Sequence, residues 1–282
     1  MIQAKGVDAA ALADIGSQLR DEVVQGRIEL PLLPHVAAEV LSSSLDERSD
    51  AARLAELIQQ DQALATHVLR VVNSPAFRGA IEIVALQQAI ARLGMERIRE
   101  IALSASLKGA LFRPGHFQSL LDENWRTGLA AGLWAKEVAR ACRKNVEMAY
   151  LCGLLHNIGV PLILHRLGDL CSGLDLARVE PLLKELAPLA GERLAIEWKL
   201  PDLVPVTIAH LDHFETAGDA MDAVAVAATG VALGRWMCTR TILINEVIAL
   251  PSTQHLNLYP EDVEKVLEKL DSIRESMESM SL

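Results

Sequence analysis

The chain has 282 residues, 51% hydrophobic but only 4% aromatic, and a formal charge of -10 at pH 7. That length supports one large domain or two small ones around an ample core. The acidic balance, with Lys and Arg scattered, argues against a nucleic-acid partner, which needs a basic face.

Taken in chain order, nearly every periodic segment is helical. The start carries Asp8 and Asp14 and shows no basic-then-apolar export pattern. From Asp50, the residues Leu54, Leu57, Ile58, Leu64, Ala65, Val68, Leu69 and Val72 recur every three or four positions. This spacing predicts one helix, capped by Ser49 and ended by Asn73-Ser74-Pro75. Leu86 to Leu93 reads as a short helix stopped by Gly94 in a left-handed C-cap, and Met95 to Leu111 as the next. Arg113-Pro114-Gly115 is the strongest loop signal. It sets the expected boundary between an N-terminal lobe, 1–112, and a second lobe, 116–282.

Beyond that loop, Trp125, Leu129, Leu133, Trp134 and Val138 form one stripe. Its helix ends in Arg140, Arg143 and Lys144, a solvated cluster matched to the helix dipole. Gly128 and Gly132 within the stripe read as a close helix contact rather than a phosphate loop. Met148, Leu151, Cys152, Leu155 and Ile158 mark another helix, expected to end near Gly159 and Pro161. Pro181, Pro188, Pro201 and Pro205 are expected to break the next hundred residues into short helices. Asp222 to Trp236 reads as a buried helix. Its apolar run, Ala223 to Gly234, falls well short of the roughly 20 residues of a bilayer span. Pro260 opens a last amphipathic helix. The β-leaning runs, Val204-Pro205-Val206 and Thr241 to Ile244, are short, so the fold class is all-α. Leu54, Leu57, Leu69, Leu155 and Trp198 are expected in the core. Cys142, Cys152, Cys171 and Cys238 lack redox or metal spacing and fit buried, reduced thiols of a cytoplasmic protein.

Five segments carry a resemblance. They are Leu30-Pro31-Leu32-Leu33-Pro34, Ile58 to Leu64 with Leu69 to Ser74, Gln88 to Gly94, Gly153 to Gly159, and Trp198-Lys199-Leu200-Pro201. In this order, over about residues 25 to 235, they resemble the HDOD family, the HD-related output domain of bacterial signalling proteins. The resemblance implies an N-terminal helical bundle (the motif region starting near residue 25) packed on an HD-like helical domain.

It also implies where a phosphohydrolase would hold metal, and this chain departs there. Thr127 stands where the first His belongs, and Asn157 replaces the aspartate of the His-Asp doublet at His156. Thr229, after Ala228, stands for the late carboxylate. Ala187 occupies a place where relatives often carry a further His. His210, before Leu211, keeps half of a His-His pair. A neutral amide brings far less to a divalent cation than a carboxylate does. A lone imidazole cannot hold a catalytic metal, which takes three or more protein ligands.

His156, Asn157, His210, Thr127 and Thr229 are therefore expected to form a vestigial pocket, with no catalytic residue, metal or cofactor. The one cluster that invites a metal reading is His210, Asp212 and His213. His210 and His213 would share a helical face and join His156, although a solvated helix end fits these residues as well. His35, His67, His116, His165 and His255 show no partner pattern. The expected function is a non-catalytic regulatory module that binds a signalling protein, or a small molecule or nucleotide. A groove between the lobes is the expected docking surface, with no nucleic-acid or membrane partner. The alternatives are a metal-dependent phosphohydrolase with atypical ligands and a nucleotide-sensing pocket without catalysis.

Overall fold

The computed structural model describes residues 9–44, 51–77, 79–113, 115–170 and 176–281. In order, its first helices are α1 (Ala9–Val24), α2 (His35–Ser44), α3 (Ala51–Gln59), α4 (Gln62–Val72), α5 (Leu86–Leu93) and α6 (Met95–Leu111). Then come α7 (Gln118–Ala141), α8 (Val146–Leu155), α9 (Gly159–Leu170), α10 (Leu176–Glu197), α11 (Leu203–His210) and α12 (Met221–Cys238). The last are α13 (Ile244–Ala249), α14 (Pro251–His255), α15 (Pro260–Leu267) and α16 (Leu270–Ser281). No strand occurs among the described residues, and the chain is all-α as its periodicity predicts.

The helices form two compact units, and neither is continuous in sequence. One combines the chain through Pro31 with Leu111–Asp262, and the other combines Leu32–Ala110 with Val263–Leu282. This grouping differs from the expected lobes 1–112 and 116–282, since it sets the chain through Pro31 with Leu111–Asp262 and Val263–Leu282 with Leu32–Ala110. Side-chain chemistry explains the exchange. In the first unit, α1 is bound to α9 and α10 by two-pronged ion pairs. Arg166 donates to both Glu22 oxygens at 2.8 and 2.7 Å, and Arg20 to both Glu185 oxygens at 2.6 and 2.7 Å. The Arg166 hydrogen bonds pull the Glu22 carboxyl down to about 2. The Trp198 indole N–H donates to the Pro31 carbonyl at 2.8 Å, joining two motifs far apart in sequence. In the second unit, α16 buries Ile273, Met277 and Met280, and Ser74 donates to Ser279 at 2.9 Å.

Within the second unit, Asn73 clamps a loop. Its amide donates to the Leu69 and Ile83 carbonyls at 3.0 and 2.7 Å, and its oxygen accepts from the Ile83 N–H at 2.8 Å. Arg92 adds a bond to the Ile81 carbonyl at 2.6 Å. The Asn-Ser motif and the arginine before Gly94 are therefore structural. Gly94 ends α5 with φ 81° and ψ 158°. That is not the expected left-handed cap but a mirror-extended conformation open essentially to glycine alone.

Several boundaries differ from expectation. The predicted helix through residue 72 is two, because Asp61 caps α4 by accepting from the Leu64 N–H at 3.0 Å. Ser49, Asp50, Pro114 and Cys171 lie outside the described residues. Pro161 sits in the first turn of α9 rather than ending α8, a position where its missing N–H has no partner to lose. Pro181 and Pro188 lie inside α10, which continues through both for 22 residues. Val204 to Val206 belong to α11, and the segment after Pro260 is two helices. Leu54, Leu57, Leu155 and Trp198 are buried as expected. Leu69 is only half-buried, because α4 turns Leu64, Val68, Val71 and Val72 inward instead. Cys152 is buried, while Cys142 and Cys238 are half-buried, and all three are free. Burial pushes the Cys152 thiol up to about 11. By length and composition Val146–Leu170 passes for a membrane span, yet 72% of its apolar window is already buried in the protein.

The first unit is built on α7, whose neighbours approach to backbone contact. A Cβ on Gly153 of α8 would stand 2.6 Å from the Ala131 carbonyl oxygen, and one on Gly230 of α12 would stand 2.5 Å from the Ala135 Cα. Gly132 likewise faces Tyr150 and Leu154 at 3.0–3.2 Å, so the Gly128–Gly132 stripe is the helix contact its spacing predicts. Gly230→Ala should destabilise the fold by about 1–3 kcal/mol through overpacking, and Leu155→Ala by about 2–5 kcal/mol through a cavity. Urea unfolding of both variants checks this, with an exposed substitution as reference.

Candidate functional site

The α7–α8–α12 packing brings His156 and Asn157 to the end of α8, beside the middle of α7. His156 is buried and caps α8 in helical geometry, with φ -54° and ψ -27°. Its Nδ1–H donates to the Gly153 carbonyl at 2.7 Å, which places the remaining lone pair on Nε2. Burial lowers its pKa to about 3, the Arg235 charge adds to the effect, and the Gly153 bond opposes it. The imidazole is therefore neutral across the physiological range.

Asn157 is engaged by α7. Its amide donates to the Asn124 side-chain oxygen at 2.7 Å and the Asn124 carbonyl at 3.2 Å, while Asn124 donates back to the Asn157 carbonyl at 3.4 Å. The Asn157 side-chain oxygen would lie 3.0 Å from a Cβ on Gly128, so it rests over bare backbone. Thr127 is buried in this same turn of α7.

The other expected members of the pocket have hydrogen-bond partners of their own. The Thr229 hydroxyl donates to Ser252 at 3.2 Å and lies 3.4 Å from the Thr253 hydroxyl. Thr253 in turn donates to the Val247 carbonyl at 2.8 Å. These contacts make Thr229 part of a hydroxyl cluster binding α14 to α12. His210 ends α11, and its Nδ1–H donates to Thr216 at 2.7 Å, whose own proton goes to the His213 carbonyl at 2.7 Å. His213 is exposed, and its backbone (φ -139°, ψ 56°) is not helical. The shared face expected of His210 and His213 is thus broken by a kink. Ala187 is buried in α10 with its carbonyl against Gly159. Elsewhere, His165 meets the Leu111 carbonyl at 3.0 Å and His255 meets Asp222 at 2.8 Å.

These residues do not fit a divalent metal. No group of three His, Cys, Asp or Glu side chains suited to a metal occurs among the described residues. Of the inherited positions, His156 keeps one lone pair and Asn157 directs its amide at Asn124.

Sequence reasoning missed an open cleft of about 540 Å³ formed by the turn after α11, one face of α12, and the segment around α13 and α14. Ala228, Val231, Ala232 and Arg235 line it from α12, a helical i, i+3, i+4, i+7 set. The Thr229 hydroxyl donates to Ser252, which also lines the cleft. The available signal was Arg235, a cation closing the apolar run that ends at Gly234.

The HDOD domain family model matches residues 30–214. An uncharacterised protein of Treponema pallidum (strain Nichols) is 26% identical over 195 residues, or 64% of this chain. The match spans only 37% of that relative's length. Among solved structures, an HDOD domain protein of unknown function from Geobacter sulfurreducens superposes with TM-score 0.72 at 21% identity, covering 97% of this chain and 99% of that one. A candidate metal-dependent phosphohydrolase from Shewanella amazonensis SB2B gives TM-score 0.71 at 20% identity, covering 96% and 98%. At such identities the likeness concerns the fold.

The buried neutral imidazole predicts an acid sensitivity. His156 binds a proton near pH 6.5 when unfolded but only near pH 3 when folded. Its contribution to stability is complete above pH 6.5 and is lost progressively as the pH falls toward 3, at up to about 1.4 kcal/mol per pH unit. Denaturation of the parent and His156→Gln at pH 7, 5.5 and 4.5 should show a shallower acid loss in the variant. NMR should show no His156 titration between pH 5 and 8.

Proposed function

The chain belongs to the HDOD domain family, and from that premise we propose that it is a regulatory module without phosphohydrolase activity. It acts in the cytoplasm by binding a signalling protein or a small ligand. The observation that carries this reading is how His156 and Asn157 are used. The imidazole donates to Gly153 within the end of α8, and the amide donates to Asn124 of α7, so both side chains are engaged in the protein's own hydrogen bonds. Metal-assisted hydrolysis of a phosphoester needs a cation that lowers the pKa of a bound water. Three or more convergent ligands hold such a cation, and this chain offers no such group among its described residues. Family membership supports the signalling role, since the resemblance is to output domains.

The hydrolase reading makes the opposite prediction, so one assay decides. Purified without chelator, the protein should contain no stoichiometric Zn, Mn, Fe or Ni by elemental analysis. With added Mn²⁺ or Zn²⁺, it should hydrolyse bis(p-nitrophenyl) phosphate no faster than its His156→Ala variant. Turnover that is abolished by EDTA and by His156→Ala would overturn the regulatory reading.

A further inference from the structure

The cleft beside α12 has a charge pattern that selects a ligand. Arg235 is exposed, and no acidic partner meets it in the described structure. Asp212 and Glu215, on the turn after α11, line the same cleft and are likewise exposed and unpaired. Glu246 also lines the cleft, and one of its oxygens accepts from the Leu243 N–H at 2.6 Å, leaving the other free. The lining also has an apolar part, including the buried Val231 and Ala232. The volume of about 540 Å³ lies within the usual range of small-molecule sites.

A polyphosphate is disfavoured here, because three carboxylates oppose a single guanidinium. A neutral apolar molecule would leave every charge unmatched. A molecule with one carboxylate and two cationic groups matches the lining best. It sets its anion on Arg235 in a two-pronged pair and its cations among Asp212, Glu215 and Glu246, with its methylenes over the apolar part of the lining.

The geometry points to this cleft as a binding site for a basic α-amino acid, held through its carboxylate by Arg235 and through its cationic groups by Asp212, Glu215 and Glu246. The inference deepens the regulatory reading and rests on it by supplying a ligand class. The hydrolysis assay and the titration below read different residues, so failure of one is distinguishable from failure of the other.

The test is calorimetric titration of the full chain with L-arginine, with agmatine, which lacks the carboxylate, and with ATP. Arginine should bind saturably and agmatine about ten-fold more weakly, the loss expected for one charge-assisted pair. ATP should not bind. Arg235→Gln should remove the preference for arginine over agmatine, while Glu215→Gln should weaken both. Both substituted residues are exposed, and circular dichroism confirms that each variant is folded. No saturable binding of arginine, equal binding of agmatine, or ATP binding that depends on Arg235 would each overturn the proposal.

Discussion

Backbone-to-backbone contact along α7 is the constraint on which the first unit depends. Gly128, Ala131, Gly132 and Ala135 lie on successive turns of that helix, and Gly153, Gly230 and Gly234 meet them from α8 and α12. At these distances a single added methyl collides with main chain, which yields far less readily than the end of a flexible side chain. Close approach increases dispersion contacts between the helices. It also fixes where α8 ends, and so where His156 and Asn157 stand relative to Asn124 and Gly128. A second crossing follows the same rule. A Cβ on Gly159 would lie 1.8 Å from the Ala187 carbonyl oxygen, which locks the start of α9 against α10.

The same packing gives the residues around His156 structural roles. Asn157 is half-buried, and an aspartate there would hold a partly desolvated charge. Asparagine has nearly the same shape, and its amide gains partners on α7 that a carboxylate could not donate to. The neutral imidazole of His156 avoids the same penalty, since burial and the Arg235 charge both oppose its protonation. Thr229 adds its hydroxyl to the cluster between α12 and α14. Thr127 and Thr229 are both buried as small side chains.

Errors of sequence reading fall where a distant contact overrides a local signal. Pro181 and Pro188 read as breakers, yet α10 runs through them. Packing against α9, together with Arg20–Glu185 and the Gly159 crossing, holds the helix where local propensity would not. The join at Gln60 was hidden because the apolar period continues across it, although Asp61 was a recognisable cap. The His210–His213 face failed because the Thr216 hydroxyl accepts from one histidine ring and donates to the other's carbonyl, stabilising a kink.

Sequence by itself determined the helical class and the Gly128–Gly132 contact. Each of these depends on residue type and near-neighbour spacing, quantities that a linear pattern contains. Only the tertiary structure decided which terminus belongs to which unit, because Glu22–Arg166, Trp198–Pro31 and Ser74–Ser279 bridge 144, 167 and 205 positions. It alone tied Thr229 to Ser252 and gathered Arg235 with Asp212, Glu215 and Glu246 around one cleft. Which face of α12 meets which neighbour is set by the packing of three other segments against it, and no local period along the chain encodes that choice.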